Sequence, residues 1–389
     1  MPFVDAGGGG SDAVVLSDAA PVDTDAGSGQ LEIADVPDTP CGTSAGTTAT
    51  VFSTVANVTP LSLVDVGARR GAFVSNGDVP DGLAFMDGNG GNASSSIVSA
   101  TFPVAAIAST GTSLFAIGVD SATLRGAWFD SQGSSTAPAL TIATQASGPA
   151  AGGANGTSLA VWLEGADLRA AGFTAQNTPA GPAFDFRRGL SEKENASLAV
   201  AHQKDDRYGV AHSSSAADKD YRLTFTVVST VARIGTSYTL AAGPLPIRVV
   251  SVAHTAKGFA ILVELDLPAV PAVIFVDDAG KIVGSARRLL GARRAYGIAS
   301  SGGELGVLVH RLLKTAEEEM PEALEFRSFD ALGEPLGAWA CLDAPATAFD
   351  FDMGAAISAE AEGYAVLMRD NAKQVVLRRF DRRGLLPPK

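Results

Sequence analysis

One short phrase, Phe-Asp-x-x-Gly, places an aspartate beside a glycine again and again along the chain. It reads FDSQG at Phe129, FDALG at Phe329 and FDRRG at Phe380. An aspartate in such a phrase can ligate a metal, act as a catalytic carboxylate or cap a tight turn. A calcium loop needs carboxylates at alternating positions and a distant glutamate, and only DGNGG at 87–91 offers part of that pattern. The spacing therefore favours a type I turn, with glycine in the left-handed position and aspartate bonding backbone N–H groups.

Looser forms of the same phrase recur at a regular period. In the third repeat Asn177 takes the place of glycine, which suits a turn because asparagine tolerates positive φ. The period is too long for leucine-rich or tetratricopeptide repeats, and each unit holds four short apolar runs. We therefore predict one four-stranded propeller blade per unit. The phenylalanines that mark the units are 44 to 54 residues apart: Phe85, Phe129, Phe173, Phe225, Phe275, Phe329 and Phe380.

The two ends of the repeat array predict how the ring closes. The last unit stops at residues 380–385, just after its third strand, while residues 48–58 form an orphan strand before the first unit. We predict that this N-terminal strand completes the seventh blade, because closure removes an exposed sheet edge. The predicted fold is all-β, a seven-bladed β-propeller over residues 41–389. Residues 1–40, rich in Asp, Ala and Gly, predict a disordered linker that acts as a flexible tether.

The two cysteines fit this closure. Cys41 precedes the closing strand and Cys341 lies in the fourth strand of blade six, so we predict a disulfide between them across about 300 residues. Two unpaired thiols are the alternative. Two cysteines without a nearby histidine make a poor metal site, and neither a metal nor a cofactor is predicted.

Charge and hydropathy exclude two classes of partner. The net charge is −13, which disfavours binding to nucleic acid. No apolar stretch reaches the roughly 18 residues of a membrane span, so no transmembrane segment is predicted. No signal peptide is visible at the start.

Polar side chains end most of the second strands, where the loops to the third strands begin. We interpret them as a binding ring around the channel mouth, suited to a cation or a basic partner, with simple solvated strand ends as the alternative. The two longest of these loops, 211–222 and 310–326, predict recognition or a tolerated insertion. His202 and His254 match in position and predict channel lining rather than a metal pair. The candidate binding residues are Asp120, Glu164, His212, Glu264, His310, Arg311, Arg369 and Asp370.

The repeat with its N-terminal closing strand resembles secreted or lipid-anchored bacterial seven-bladed propellers of unknown function, over residues 48–389. The first forty residues are similar in composition to the spacers of bacterial surface lipoproteins, with a cytoplasmic tail as the alternative. The resemblance implies an extracytoplasmic location, at the cell surface or in the periplasm. We expect a monomeric, non-catalytic binding scaffold that recognises a protein or glycan through its long-loop face. A glycan hydrolase or lyase with acidic residues around the channel mouth is the alternative, and a purely structural part of an envelope assembly is a third.

Overall fold

The strands of the chain build seven sheets, each a single propeller blade. The structure is a computed structural model that describes residues 23–24, 31–39, 41–43, 47–52, 58–76, 79–91, 98, 100–174, 178–187, 197–215, 221–265, 270–311, 323–342, 354–370 and 374–383. All the regular secondary structure within these residues is β-strand. In each sheet the first three strands of the blade, which are consecutive in sequence, are antiparallel neighbours and run outward in chain order, and four N-terminal strands are added at the outer edges of blades 4 to 7. The predicted all-β, seven-bladed propeller is therefore confirmed.

The strands are numbered in chain order. Four short strands precede the first blade: β1 (Asp23–Thr24), β2 (Ile33–Val36), β3 (Gly42–Thr43) and β4 (Thr47–Phe52). Blade 1 contains β5 (Val58–Val66), β6 (Arg69–Asn76) and β7 (Val79–Asp87). Blade 2 contains β8 (Ala106–Ser109), β9 (Leu114–Asp120), β10 (Thr123–Phe129) and β11 (Leu140–Ala143). Blade 3 contains β12 (Ala146–Ala154), β13 (Thr157–Glu164), β14 (Asp167–Thr174), β15 (Thr178–Pro179) and β16 (Phe184–Arg187).

The remaining strands form the other four blades. Blade 4 contains β17 (Leu198–His202), β18 (Arg207–Ser215), β19 (Tyr221–Ser229) and β20 (Ile234–Gly243). Blade 5 contains β21 (Ile247–Thr255), β22 (Gly258–Leu265), β23 (Val270–Val276) and β24 (Ala286–Leu289). Blade 6 contains β25 (Ala292–Ser301), β26 (Glu304–Arg311), β27 (Ala323–Phe329) and β28 (Ala340–Cys341). Blade 7 contains β29 (Ala355–Glu360), β30 (Gly363–Arg369) and β31 (Val375–Asp381).

The core lies between the blades rather than inside them. Seven apolar clusters are buried, and each joins the facing sides of two neighbouring blades. Between blades 2 and 3, Phe115 stacks on Trp128 with ring centroids 4.5 Å apart, and Trp162 is buried beside them. Both faces of each sheet are therefore apolar, which explains why the strands read as nearly continuous hydrophobic runs.

The Phe-Asp-x-x-Gly phrase is a tight turn, as predicted, and it joins the third and fourth strands. In FDSQG, Asp130 Oδ1 accepts hydrogen bonds from the backbone N–H groups of Gln132 (2.8 Å) and Ser134 (2.9 Å). Asp277 and Asp330 make the same pair of bonds in blades 5 and 6. We call the end of the propeller that carries these turns, and the turns between first and second strands, the turn face. The opposite end is the loop face.

The glycine of this turn serves the neighbouring blade as well as its own. Gly333 has a φ of +87°, and a Cβ added to it would lie 2.4 Å from the ring of Phe275, the phenylalanine of the preceding blade. Gly133 relates to Phe85 in the same way, at 2.8 Å. The repeated glycine is therefore required twice, once for its backbone conformation and once for the close approach of two blades.

The fourth repeat has a different register from the one that the sequence predicts. Phe225 lies within β19, and the turn begins at Ser229, whose hydroxyl accepts the N–H groups of Val231 (3.3 Å) and Arg233 (3.2 Å). Ala232 takes the left-handed position at φ +62°. The serine hydroxyl replaces the aspartate carboxylate as the hydrogen-bond acceptor in this turn. Aligning this unit on Phe225 alone therefore gave the wrong register for the turn. Asn177, expected in the third turn, lies outside the described residues.

The ring closes as predicted. Strand β4 pairs antiparallel with β31 and supplies the fourth strand of blade 7. Cys41 and Cys341 form a disulfide with their Cα atoms 5.3 Å apart, across 300 residues of sequence.

The segment before the closing strand adds a feature that the sequence did not predict. Strands β1, β2 and β3 pair in parallel with the outer strands of blades 4, 5 and 6, as fifth strands. Strands β1 and β2 fall within residues 1–40, the range predicted as a linker. Short parallel pairing needs only the backbone of the extended segment, so its Asp- and Gly-rich composition does not prevent it. In the described part of the chain, no helix long and apolar enough to cross a bilayer is found.

Candidate functional site

The innermost strands enclose a cavity that opens on the turn face, and we call it the axial cavity. It has a volume of about 430 Å³ and is lined by the first strands of blades 1, 2, 3, 4, 5 and 7. More than half of the lining residues are Gly, Ala or Ser, which suits strands that converge on one axis. The polar side chains on its wall are those of Asp65, Ser109, Asn155, His202 and Ser358.

Each of the two channel histidines is bonded to its own blade. His202 Nε2 lies 3.0 Å from the carbonyl oxygen of Asp205, and its ring packs edge-on against Tyr208. His254 Nε2 lies 2.9 Å from Asp278 Oδ1, and its ring packs the same way on Phe259. The matching positions are confirmed. Only His202 lines the axial cavity.

A second cavity, the seam pocket, lies where blade 7 meets blade 1 on the same face. Its volume is about 290 Å³, and Asp65 lines both it and the axial cavity. Beside it, Arg70 donates Nη1 to Ser358 Oγ at 2.8 Å and pairs with Glu360. Arg379 donates Nε and Nη2 to the two oxygens of Glu360, at 2.7 and 2.9 Å. We call Asp65, Arg70, Glu360 and Arg379 the seam cluster.

The two carboxyl groups of the seam cluster, Asp65 and Glu360, differ in their solvent exposure and in how they pair with arginine. The Glu360 side chain is only 8% exposed and is held by two guanidinium groups, so it is committed to joining the blades. Asp65 is half exposed and lies 3.5 Å from Arg70. Its pKa is raised above the usual range by partial burial and, to a lesser extent, by the charge of Glu360, while Arg70 opposes the shift. Asp65 is therefore the group of this cluster best placed to exchange a proton or a hydrogen bond with a ligand.

The acidic residues of the predicted loop-face ring are paired with arginines. Glu164 accepts Arg169 Nη1 at 2.7 Å, and Arg169 also contacts Asp185. Glu264 accepts Arg248 Nε at 2.8 Å and the backbone N–H of Ala295, in the next blade, at 2.7 Å. The third acid, Asp120, lies 4.0 Å from Arg125. These acids lie at the predicted strand ends, but their charges are largely offset within the protein.

Both loop-face histidines are buried instead of facing solvent. His212 is inaccessible, and burial together with the nearby charge of Arg187 holds its pKa well below the usual range. His310 is also inaccessible, and burial with the charges of Arg294 and Arg293 lowers its pKa to about 4. Each ring therefore packs neutral between two blades at pH 7.

Arg311 lies in the protein interior and fastens the N-terminal segment. Its side chain is 1% exposed, donates Nη1 to Glu325 Oε2 at 2.7 Å and to the carbonyl of Thr39 at 3.1 Å, and pairs with Asp38. Its guanidinium also lies over Trp339, 4.8 Å from the ring centroid. We call Arg311, Glu325, Asp38 and the Cys41–Cys341 disulfide the clasp.

The last two predicted site residues also have structural contacts. Arg369 is 9% exposed. Asp370 Oδ1 accepts the N–H of Gln374 at 2.8 Å, which closes the loop between β30 and β31. The central parts of the two long loops, 216–220 and 312–322, lie outside the described residues, and their predicted recognition role stays a prediction.

Sequence reasoning missed the seam cluster. Its partners are up to 290 residues apart, as with Arg70 and Glu360, and no motif joins them. The available signal was topological. Arg70 and Glu360 each lie beside a turn between a first and a second strand, in blades 1 and 7, which meet where the ring closes.

Comparisons with known proteins support the fold. No family model matches the chain, and no curated protein matches it in sequence. A chain in a crystal structure of a mitotic checkpoint complex is similar, with 10% identity, a TM-score of 0.53, and coverage of 90% of this chain and 95% of that chain. The likeness is in the fold alone. A polysaccharide lyase of family PL25, an ulvan lyase bound to a GlcA–Rha3S oligosaccharide, is similar at 9% identity and a TM-score of 0.50, covering 87% of this chain and 96% of the lyase.

Proposed function

We propose that this propeller is a non-catalytic, extracytoplasmic binding scaffold that takes a glycan into the axial cavity. The observation that carries the proposal is the cavity itself: about 430 Å³, with hydroxyl, amide, imidazole and carboxyl groups set among small apolar side chains. This volume lies in the usual range for small-ligand sites. A sugar offers both an apolar face and hydroxyl groups, so it matches such a wall.

The electrostatics favour binding over catalysis. Glycoside hydrolysis generally uses two carboxyl groups that flank the scissile bond. Asp65 lines the axial cavity, but the nearest carboxylate of the seam cluster, Glu360, is held by Arg70 and Arg379. The disulfide supports an oxidising compartment, where such bonds persist. A protein partner on the loop face, through loops 211–222 and 310–326, is part of the same proposal.

The test is a calorimetric and thermal-shift screen of the whole chain against soluble envelope oligosaccharides. We expect binding that Ala154→Trp abolishes, because Ala154 lines the cavity. Ala256→Trp is the matched control, since Ala256 is an exposed turn residue away from the cavity wall. Loss of binding in both variants, or in neither, would show that the cavity is not the site. Replacing residues 216–220 and 312–322 by short Gly-Ser linkers tests the loop face against protein partners.

A glycan-active enzyme is the second candidate, favoured by the raised pKa of Asp65. A carboxyl that stays protonated at higher pH can act as a general acid. Incubation with the same oligosaccharides, followed by mass spectrometry of products, separates the two functions. Cleavage by the native protein that Asp65→Asn abolishes would establish the enzyme and overturn the scaffold.

A further inference from the structure

The clasp brings three potential metal ligands together in blade 6. The Sγ atoms of Cys41 and Cys341 and a carboxylate oxygen of Glu325 all lie within 4.8 Å of one another. Pairing of the strands explains the approach, because Cys341 lies directly opposite Glu325 on β27, and its own strand pairs with β3, just after Cys41. Sequence reasoning considered only the two cysteines and missed the glutamate, which is 16 residues before Cys341.

Glu325 has one oxygen in use and one without a partner. Its side chain is fully buried, Oε2 accepts Arg311 Nη1 at 2.7 Å, and Oε1 has no hydrogen-bond partner among the described residues. A buried carboxylate oxygen without a partner is costly, and native proteins rarely keep one without reason. The bond from Arg311 fixes the orientation of the carboxylate, as outer-shell partners do for metal ligands.

The local charge also favours a divalent cation once the sulfurs are reduced. Two thiolates with Glu325 and Asp38 carry four negative charges, while Arg311 and Arg327, which both lie over Trp339, carry two positive charges. One Zn²⁺ brings the cluster to neutrality. Thiolate and carboxylate ligands are among those that zinc accepts, with water in the remaining position of a tetrahedral site.

We propose that, when the Cys41–Cys341 disulfide is reduced, Cys41, Cys341 and Glu325 form a three-ligand site for Zn²⁺. The disulfide and the metal then act as alternative fasteners of the N-terminal segment. In the reducing step a phosphine transfers two electrons to the disulfide. It takes the oxygen of one water molecule to become the phosphine oxide, and the two sulfurs take up two protons. Binding of Zn²⁺ then releases those two protons as both thiols become thiolates.

Cobalt(II) titration of the whole chain tests the site. The protein is reduced with a phosphine, freed of reductant without oxygen, and titrated with Co²⁺ and then Zn²⁺. We expect a thiolate-to-cobalt charge-transfer band with tetrahedral visible bands, one equivalent per chain, removed by one equivalent of Zn²⁺. The oxidised protein should show no such band. Absence of the band in the reduced protein would overturn the proposal.

Two variants separate the three-ligand site from adventitious thiol binding. Glu325→Gln keeps both thiols, and we expect it to lower Co²⁺ affinity by at least about tenfold, as removal of a ligand or its close support does. Glu334→Gln is the matched control, because Glu334 is an exposed carboxylate of the same blade that pairs with Arg287. A melt of each oxidised variant verifies that it is folded before reduction. Equal affinity of Glu325→Gln and the native protein, or retention of the spectrum in Cys341→Ser, would refute the proposed ligand set.

Discussion

The clasp and the seam cluster both join distant parts of the chain through arginine–carboxylate pairs, but the two regions differ in what surrounds those pairs. In the clasp, Arg311 and Glu325 are both inaccessible, and a disulfide lies beside them. In the seam cluster, Glu360 is bound by two arginines, and a pocket of about 290 Å³ remains alongside. A buried arginine–carboxylate pair can therefore fasten a chain segment in the interior in one place and border an open pocket in another. What separates them is the space beside the pair: the seam pocket borders Glu360 and the half-exposed Asp65, whereas Glu325 is fully buried.

Removing the disulfide should have the largest effect. In the chain-entropy model, a cross-link across 300 residues stabilises the folded state by about 5 kcal/mol, and the double variant Cys41→Ser, Cys341→Ser should lose most of this. Chemical denaturation in a chelating buffer measures it. If the variant and the native protein unfold at the same denaturant concentration, the disulfide does not fasten the clasp.

Arg311→Ala should be the next most damaging change. It leaves Glu325 buried without its cation, and breaking such a pair costs about 3–5 kcal/mol. The double variant Arg311→Met, Glu325→Leu should recover much of the loss, because no uncompensated charge remains. Arg288→Ala is the control, since its pair with Asp35 is exposed. Failure of the double variant to recover stability would mean that Arg311 acts mainly through packing on Trp339.

Arg70→Ala in the seam cluster should cost less, about 2 kcal/mol, because Glu360 keeps its two bonds from Arg379. Adding Arg379→Ala should cost more than the sum of the single changes. Denaturation of the three variants gives the coupling free energy directly. Simple additivity would show that the two arginines do not share Glu360.

Acidification should act in opposite directions on His310 of blade 6 and Asp65 of the seam cluster. Burial lowers the pKa of His310, next to Arg311, to about 4 from its ordinary value of 6.5. The unfolded chain then binds a proton that the folded chain does not. Stability from this group is therefore present above pH 6.5 and is lost as the pH falls toward 4.

Asp65 in the seam cluster has a raised pKa and works in the opposite direction, since its stability is present at low pH and is lost as the pH rises. His310→Leu should flatten the fall in unfolding free energy between pH 6.5 and 4, and Asp65→Asn should steepen it. Denaturation curves at several pH values measure both slopes. Unchanged slopes in both variants would contradict these assignments.

The repeat could be predicted because it rests on local signals, and the closure could be predicted because the last repeat lacks a fourth strand while an extra strand precedes the first. The turn needs an acceptor side chain and a left-handed residue within five positions, which a reader of the sequence can see. The same reasoning misplaced the turn between the third and fourth strands of blade 4, where Ser229 and Ala232 replace the two signal residues. The clasp and seam cluster depend on pairs such as Arg70 and Glu360 that no local pattern links. Arg311 was expected in the binding ring around the channel mouth because it ends a strand, but its side chain points to the side that packs against Trp339 and the N-terminal segment.

The N-terminal strands along blades 4, 5 and 6 have a consequence for biosynthesis. Cys41 leaves the ribosome 300 residues before its partner. At about 5–20 residues per second, the delay is roughly 15 to 60 seconds. During that time β1 can join blade 4 only after residue 243 is made, and β2 can join blade 5 only after residue 289 is made. Strand β4 must wait for β31, so the growing propeller keeps an open edge. Because the closing contacts are so far apart in sequence, folding should finish only after synthesis ends, and slow translation or early oxidation of Cys41 with another thiol would divert chains into aggregates.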